Sequence, residues 1–269
     1  MIFIFILFIL KANYLYCLFF VLIMKAIILC AGYATRMYPL TETKAKTLLL
    51  VWGKPILNHI IEKIPSDMKE IIVVSNDKFY KDFINWSEKY GEKVKILNDE
   101  SKNNETRLGG IGDLWLAIEK EKIDEDIMVI LGDNLFDFNL KKAVDFFEKV
   151  KKDVIVLHDV KDLEEAKKFG VLDVRDGKIV SFEEKPQEPK STLISTGIYI
   201  FSKNTVRKIK SYLEEGNSNE GPGYLIPYLM KTQDVYALPL EGKWYDIGSK
   251  ETYEKVNLLW GKDDNHSGD

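Results

Sequence analysis

Cysteine and histidine are scarce in this chain: 269 residues hold two cysteines and three histidines. Cys17 and Cys30 alone cannot staple a disulfide scaffold. His59, His158 and His266 fall in no motif, so catalysis through histidine is not expected. An excess of positive charge is lacking too. Lys plus Arg number 38 against 42 for Asp plus Glu, net −4, which excludes a protein held on nucleic acid by bulk charge. Two phosphate-binding fingerprints are missing: there is no G-x-x-x-x-G-K-[ST] and no G-x-G-x-x-G. Disorder is excluded by the 46% of apolar residues. What remains is enough chain for one large domain or two small ones.

The apolar residues are unevenly placed. Of residues 1–23, all but Lys11 and Asn13 are apolar. The rest is about 42% apolar with net charge −5, an ordinary enzyme-like composition. A membrane-spanning helix has the length of this prefix, but Lys11 sits at its centre and no basic cluster flanks it. A secretory signal would need a basic start and a small-residue cleavage site, and neither is present. The favoured reading is translation from Met24, directly before the first strand, with residues 1–23 outside the working protein. The protein is then cytoplasmic; a membrane anchor through residues 1–23 is the alternative.

Strand and helix patterns alternate after Met24. Ala26–Cys30 is a continuous apolar run, the pattern of a strand buried on both faces. Residues 55–64 and 78–90 read as helices around a strand at 70–74, with a third strand at 94–97. A helix at 111–123 precedes a fourth strand, Ile127–Leu131, which ends at Gly132-Asp133. This alternation indicates βαβ units and a mainly parallel sheet. The second half is different. Strands at 154–157 and 193–201 bracket Asp176-Gly177, a strong hairpin turn between alternating segments. Helices at 204–213 and 250–259, a helix opened by Gly221-Pro222-Gly223, and a short strand at 235–240 follow. Residues 261–269 form a polar tail. One α/β domain over 24–260 with a small antiparallel lobe fits better than two independent domains.

The loop after the first strand, Ala31-Gly32-Tyr33-Ala34-Thr35-Arg36, joins small residues to a cation, and Lys46 adds a second. Small residues let backbone N–H groups close on an anion, and two cations neutralise charge on a triphosphate. By itself the loop is equally a solvated turn with a surface arginine.

Leu29 to Thr41, followed by Lys46 and Gly53-Lys54-Pro55, resembles the signature of the sugar-1-phosphate nucleotidyltransferase family: glucose-1-phosphate thymidylyl-, uridylyl- and cytidylyltransferases and mannose-1-phosphate guanylyltransferases. The usual form is G-G-x-G-T-R-x-x-P-x-T, then P-K and G-K-P. Here Ala31 and Ala34 replace glycines and Ala45 replaces the proline. Alanine keeps close backbone approach unless a site needs positive φ. Later motifs recur in the family's order. Thr106 to Asp113 resembles the second glycine segment, which implies Gly109 as reader of the base and Asn104 as a weaker candidate. Leu131-Gly132-Asp133-Asn134 and Trp244-Tyr245-Asp246-Ile247-Gly248 resemble the two segments whose aspartates hold Mg²⁺. Phe169-Gly170-Val171, Glu183-Glu184-Lys185-Pro186 and Ser195-Thr196-Gly197 resemble the sugar pocket: glycine backbone, Glu to hydroxyls, Lys to the sugar phosphate, Thr-Gly beneath.

The resemblance implies a Rossmann-like three-layer α/β fold, mainly parallel, with a small antiparallel sugar-binding lobe. It implies synthesis of an NDP-sugar and pyrophosphate from an NTP and a sugar 1-phosphate. Family frequency favours glucose-1-phosphate with dTTP or UTP. Arg36, Lys46 and Lys185 are the implied catalytic cations. Ala31, Gly32, Ala34, Thr35, Asn104, Gly109 and Asp133 form the nucleotide site, and Gly170, Glu184, Lys185, Thr196 and Gly197 the sugar site. Asp133 and Asp246 are the implied metal ligands. No nucleic-acid partner is implied, and homo-oligomerisation is left open. With the motifs complete by residue 260, the hexapeptide-repeat domain of longer relatives is not expected. Two rivals remain: a cytidylyltransferase acting on a phospho-alcohol such as phosphocholine, against which Glu184-Lys185 and Thr196-Gly197 weigh, and a nucleotide-sugar sensor without turnover, which need not keep both aspartates.

Overall fold

The spine of the fold is a set of short apolar runs too rich in β-branched residues to favour helix. The computed structural model describes residues 24–260, apart from positions 69 and 240. The expectations for residues 1–23 and for the tail 261–269 lie outside the described residues. In chain order the strands are β1 (Met24–Leu29), β2 (Leu50–Val51), β3 (Lys54–Pro55), β4 (Ile71–Ser75), β5 (Val94–Asn98) and β6 (Asp126–Leu131). They continue with β7 (Asn134–Phe136), β8 (Asp153–Asp159), β9 (Gly170–Arg175), β10 (Lys178–Glu184), β11 (Leu193–Phe201), β12 (Val235–Pro239) and β13 (Trp244–Asp246).

Nine of these form one sheet in the order β5-β4-β1-β6-β11-β8-β12-β10-β9. β5, β4, β1, β6, β8 and β12 run one way, and β11 runs against its neighbours β6 and β8. The expected, mainly parallel sheet is thus present, with one reversed strand at its centre. β9 and β10 form the antiparallel lobe, turned by Asp176 (φ 50°) and Gly177 (φ 77°) as a two-residue hairpin requires. β9 also touches β11 through Val171 and Ile194, so the lobe curls back over the sheet.

Alternation along the strands sorts side chains into two apolar layers. Ala26, Ile28, Ile71, Val73, Met128 and Ile130 face one side, with Ile27, Leu29, Ile72, Val74, Ile127 and Val129 on the other. Helices Ile56–Ile61, Tyr80–Ser87, Lys141–Val150 and Lys250–Leu259 cover the first face; Gly110–Lys120, Lys203–Glu214 and Leu225–Met230 cover the second. Three layers result. Each fully buried Ile or Leu contributes roughly 1.5–3 kcal/mol, so this double core dominates stability.

Some elements differ from expectation. The helix expected at 78–90 spans Tyr80–Ser87 and gives way to 3₁₀ turns over Glu88–Lys93, which Gly91 (φ 57°) interrupts. Pro222 opens a single 3₁₀ turn before helix Leu225–Met230. Helix Lys141–Val150 was not expected, although Ala143, Val144 and Phe147 carry helical spacing. Nor were the two ribbons, β2–β3 and β7–β13. Among the described residues no helix is long and apolar enough to cross a membrane.

Candidate functional site

β1 and β6 lie side by side and parallel, so their carboxyl ends open a crevice at one edge of the sheet. The loop after β1 forms one wall. Gly32 is exposed with open space where a Cβ would stand. Among the described residues, none accepts a hydrogen bond from the N–H of Gly32, Tyr33 or Ala34. Ala34 is left-handed at φ 48°, ψ 42°, so the condition under which alanine is a poor substitute for glycine is met there. Its carbonyl holds the turn, accepting from Met37 N–H at 2.9 Å and from the buried Thr41 hydroxyl at 2.8 Å. Thr35–Met37 is a 3₁₀ turn that buries Met37 and leaves Arg36 exposed. Lys46 starts a second such turn, Lys46–Leu48, anchored by buried Thr47 and Leu48.

Asp133 stands just past the end of β6. Gly132 N–H donates to Leu29 carbonyl at 2.9 Å, and a Cβ on Gly132 would stand 2.9 Å from that oxygen and 2.5 Å from Cys30 Sγ. Glycine is required there to let the strand end close on β1. Lys46 Nζ donates to Asp133 Oδ2 at 2.8 Å. Asp246 arrives from the far end of the chain by a specific route: β13 pairs with β7 so that Asp246 faces Asn134, and Ile247 N–H donates to Asp133 carbonyl at 2.9 Å. A Cβ on Gly248 would meet Asp246 Oδ2 at 2.7 Å and Arg36 Nη2 at 3.9 Å, which places the guanidinium beside the second carboxylate.

The electrostatics of the two aspartates differ. Burial disfavours charge on Asp133, but the Lys46 ammonium against it, with Arg36 beyond, outweighs burial and holds the carboxyl below its ordinary range. Burial first, and the charge of Asp133 second, push Asp246 up to about 6. Two half-buried carboxylates of unequal basicity thus stand at one strand end, with Lys46 and Arg36 beside them. Their chemistry fits magnesium, which takes one or two carboxylates and completes its shell with phosphate oxygens and water. Among the described residues no group of three or more His, Cys, Asp or Glu could hold a metal on its own.

The antiparallel lobe supplies the other wall. Glu184 ends β10 with its carboxylate in a slot flanked by glycines: a Cβ on Gly170 would stand 2.9 Å from Oε2, and one on Gly223 would clash with it. Burial raises the Glu184 carboxyl above its ordinary range, despite Lys185. Lys185 is exposed, held at φ 50° with its N–H on Phe169 carbonyl, and its charge reaches Asp246. Thr196 is buried and spends its hydroxyl on Val156 carbonyl at 2.8 Å, while Trp244 Nε1–H donates to Thr196 carbonyl at 3.2 Å. Gly197 (φ 77°) packs under Asn134, whose side-chain amide donates to Asp133 Oδ1 at 3.2 Å.

Gly109 caps helix Gly110–Lys120 at φ 79°, with the carbonyl of Asn219 where a Cβ would be. Packing therefore requires glycine here independently of any ligand. Asn104 lies on the exposed turn Asn104–Thr106, and among the described residues its side chain has no hydrogen bond to the other site residues. His59 is buried with Nε2 on Val51 carbonyl, and the His158 ring lies against Trp244 with centroids 5.9 Å apart. Two open hollows of about 360 Å³ and 280 Å³, one beside Lys44 and Trp86 and one beside Trp115 and Lys210, share no residue with the site. Asn134 and Gly223 are site residues that sequence reasoning left out. Asn134 belongs to the Leu131–Asn134 motif, whereas Gly221-Pro222-Gly223 carries no local signal beyond a helix start.

Residues 25–262 match the family described as Nucleotidyl transferase. "Bifunctional protein GlmU" of Methanocaldococcus jannaschii is 35% identical over 227 residues, 84% of this chain and 51% of that protein. "UTP--glucose-1-phosphate uridylyltransferase AglF" of Haloferax volcanii is 35% identical over 237 residues, 87% of this chain and 95% of that one. The chain spans about half the length of the first of these. A solved UDP-glucose pyrophosphorylase complexed with UDP-glucose shares the fold, with a TM-score of 0.72 at 24% identity, covering 90% of this chain and 100% of that one.

Proposed function

Because the chain belongs to the Nucleotidyl transferase family, we propose that it condenses an NTP with a sugar 1-phosphate to give an NDP-sugar and pyrophosphate. The observation that carries this reading is the convergence of Lys46, Asp133, Asp246 and Arg36 at one strand end, with Glu184 and Lys185 on the facing lobe. A non-bridging oxygen of the sugar phosphate attacks the α-phosphorus, the bond to the β-phosphate oxygen breaks, and pyrophosphate leaves with that electron pair. The attacking phosphate has a second pKa near ~6 and is already largely ionised at neutral pH, so no general base is needed. Catalysis is then positioning and charge stabilisation.

Lys46 supports the α-phosphate, Arg36 the departing pyrophosphate and Lys185 the sugar phosphate. Backbone N–H groups of Ala31 to Thr35 cradle the triphosphate, Gly109 and Asn104 face the base, and Gly170, Glu184 and the Thr196-Gly197 strand hold the sugar. Asp133 and Asp246 would hold Mg²⁺, which when bound supplies Lewis-acid charge neutralisation on phosphate oxygens. Glucose-1-phosphate with dTTP or UTP is the favoured pair.

The test is pyrophosphate release across several NTPs and a panel of sugar 1-phosphates, with phosphocholine included. Release that needs both an NTP and a sugar 1-phosphate is expected. Turnover confined to CTP and phosphocholine would move the assignment to a phospho-alcohol, and binding of nucleotide sugar with no release under any pairing would indicate a sensor.

A further inference from the structure

Two buried carboxyl groups face each other behind the nucleotide wall, and among the described residues no cation is ion-paired to either. Asp99 follows β5 and Asp113 lies in the first turn of helix Gly110–Lys120; each is 6% exposed. Ser101 surrounds Asp99 with donors: its N–H at 2.7 Å and its hydroxyl at 2.8 Å from each oxygen. Asp113 has no such escort. Its Oδ1 is buried without a hydroxyl or amide partner among the described residues, and its carboxyl lies within hydrogen-bonding reach of Asp99. The charge of Arg107 reaches Asp113, but its Nη1 and Nη2 are each bound to Glu220 at 2.8 Å. Asp77 only adds negative field at Asp99. Two adjacent buried carboxylates so placed do not both ionise. Burial, and then the charge of Asp99, push Asp113 up to about 8.

We infer that Asp99 and Asp113 share one proton, and that the resulting hydrogen bond is a positioning clamp that holds the base-binding wall against the triphosphate loop. The inference rests on the function proposed above in placing the base near Gly109. The links are continuous. Asp113 N–H donates to Gly109 carbonyl at 2.8 Å, Asp99 holds Ser101, and the Ser101 carbonyl accepts from Tyr33 hydroxyl at 2.7 Å and Asp77 N–H at 3.1 Å. One proton thus ties the helix entry at Gly109, the loop after β5 and Tyr33 of the triphosphate loop. Its loss sets two like charges together and drives the helix entry away from Ser101.

The experiment compares the wild type with Asp113→Asn and Asp113→Ala across about pH 6.5 to 9.5, measuring KM for the NTP and kcat separately at saturating sugar phosphate. If only the protonated clamp binds well, one pH unit above the titration leaves roughly a tenth of the protein competent, so the wild-type NTP KM rises about tenfold by pH 9. Asp113→Asn keeps a donor toward Asp99 with no proton to lose, so its KM stays near the wild-type pH 7 value and is flat with pH. Asp113→Ala shows a raised NTP KM at every pH, and the sugar-phosphate KM is unmoved in all three. An Asp113→Asn profile that tracks the wild type overturns the clamp. Infrared difference spectra of wild type minus Asp113→Asn give a readout free of turnover: a protonated-carboxyl C=O band at pH 7 that fades by pH 9.5. Absence of that band overturns the shared proton whether or not any NTP is turned over, whereas a band with no turnover would fault only the assigned reaction.

Discussion

At the scale of single residues, the crevice sets function against stability. Asp246 has its carboxyl pushed up to about 6 by burial and by Asp133. A raised acid pKa means the folded state holds the proton more tightly than the unfolded chain. The cost is therefore absent below pH ~4, grows as pH rises toward about 6, and is complete above it. A shift of roughly two units is worth up to ~3 kcal/mol, less after solvent screening at a half-buried site. Asp246→Asn is thus expected to be more stable than wild type by roughly 1–2 kcal/mol at pH 7.5 in EDTA, with the difference gone at pH 4. Thermal melts at both pH values check the sign, and equal melting temperatures at pH 7.5 would contradict it. Lys46→Ala and Asp133→Asn are expected to fold and to lose two or more decades of turnover, because in the proposed reaction each removes a charge set against the phosphates. Circular dichroism alongside pyrophosphate release separates the two effects. Ala34 pays a smaller toll. Its left-handed φ of 48° costs a residue with a Cβ roughly 1–2 kcal/mol, and glycine recovers that at an entropic cost of roughly 0.5–1 kcal/mol. Ala34→Gly should therefore leave stability within about 1 kcal/mol of wild type or slightly above it, with NTP affinity intact. A loss beyond 2 kcal/mol in urea titration would show that the alanine methyl has a packing role.

At the scale of elements, the strap Asn219–Gly223 joins the two halves of the site. Asn219 and Glu220 carbonyls accept from Ile111 N–H at 3.0 and 2.7 Å, beside Gly109, while Gly223 leaves room for the Glu184 carboxylate. Gly223→Ala would push that carboxylate out of its slot. Loss of one charge-assisted hydrogen bond is worth about 1.5–3 kcal/mol, so the sugar-phosphate KM should rise about tenfold or more with the NTP KM unchanged. Equal rises in both constants would mean the strap moves as a whole. This element also shows where the sequence was legible. β1, β4 and β6 announce themselves as continuous apolar runs, and Asp176-Gly177 as a turn, because burial on two faces and positive φ leave local marks. β7 and β13 do not. Three residues each, they are strands only because they pair with each other, so the meeting of Asp133 with Asp246 is visible in sequence only through family resemblance. Gly223 is hidden for the same reason: what it makes room for lies 39 positions away in the chain. Helix Lys141–Val150 is a different case, since its spacing was on view.

At the scale of the whole molecule, one sheet passes through both halves, and β11 is the strand that joins them. It pairs with β6 of the parallel half and with β8 of the other, and it touches β9 of the lobe. Apolar layers on both faces run across that junction without a break. Nothing in this arrangement lets the antiparallel lobe melt by itself, so far-UV circular dichroism and tryptophan fluorescence should follow a single urea transition. Asp153 tests the point. It is 1% exposed at the start of β8, and its oxygens accept from Ser202 N–H at 2.7 Å, Thr205 hydroxyl at 2.6 Å and the Gln233 amide. Those donors come from the end of β11, the helix behind it and the approach to β12. Asp153→Ala takes the acceptor from the Ser202 N–H and from the fully buried Thr205 hydroxyl, which costs roughly 2–5 kcal/mol. If the sheet unfolds as one body, the midpoint drops for both probes together, and nucleotide and sugar-phosphate binding fail at the same urea concentration. A fluorescence transition that precedes the loss of helix would instead place a boundary at β11 and divide the molecule into two folding units.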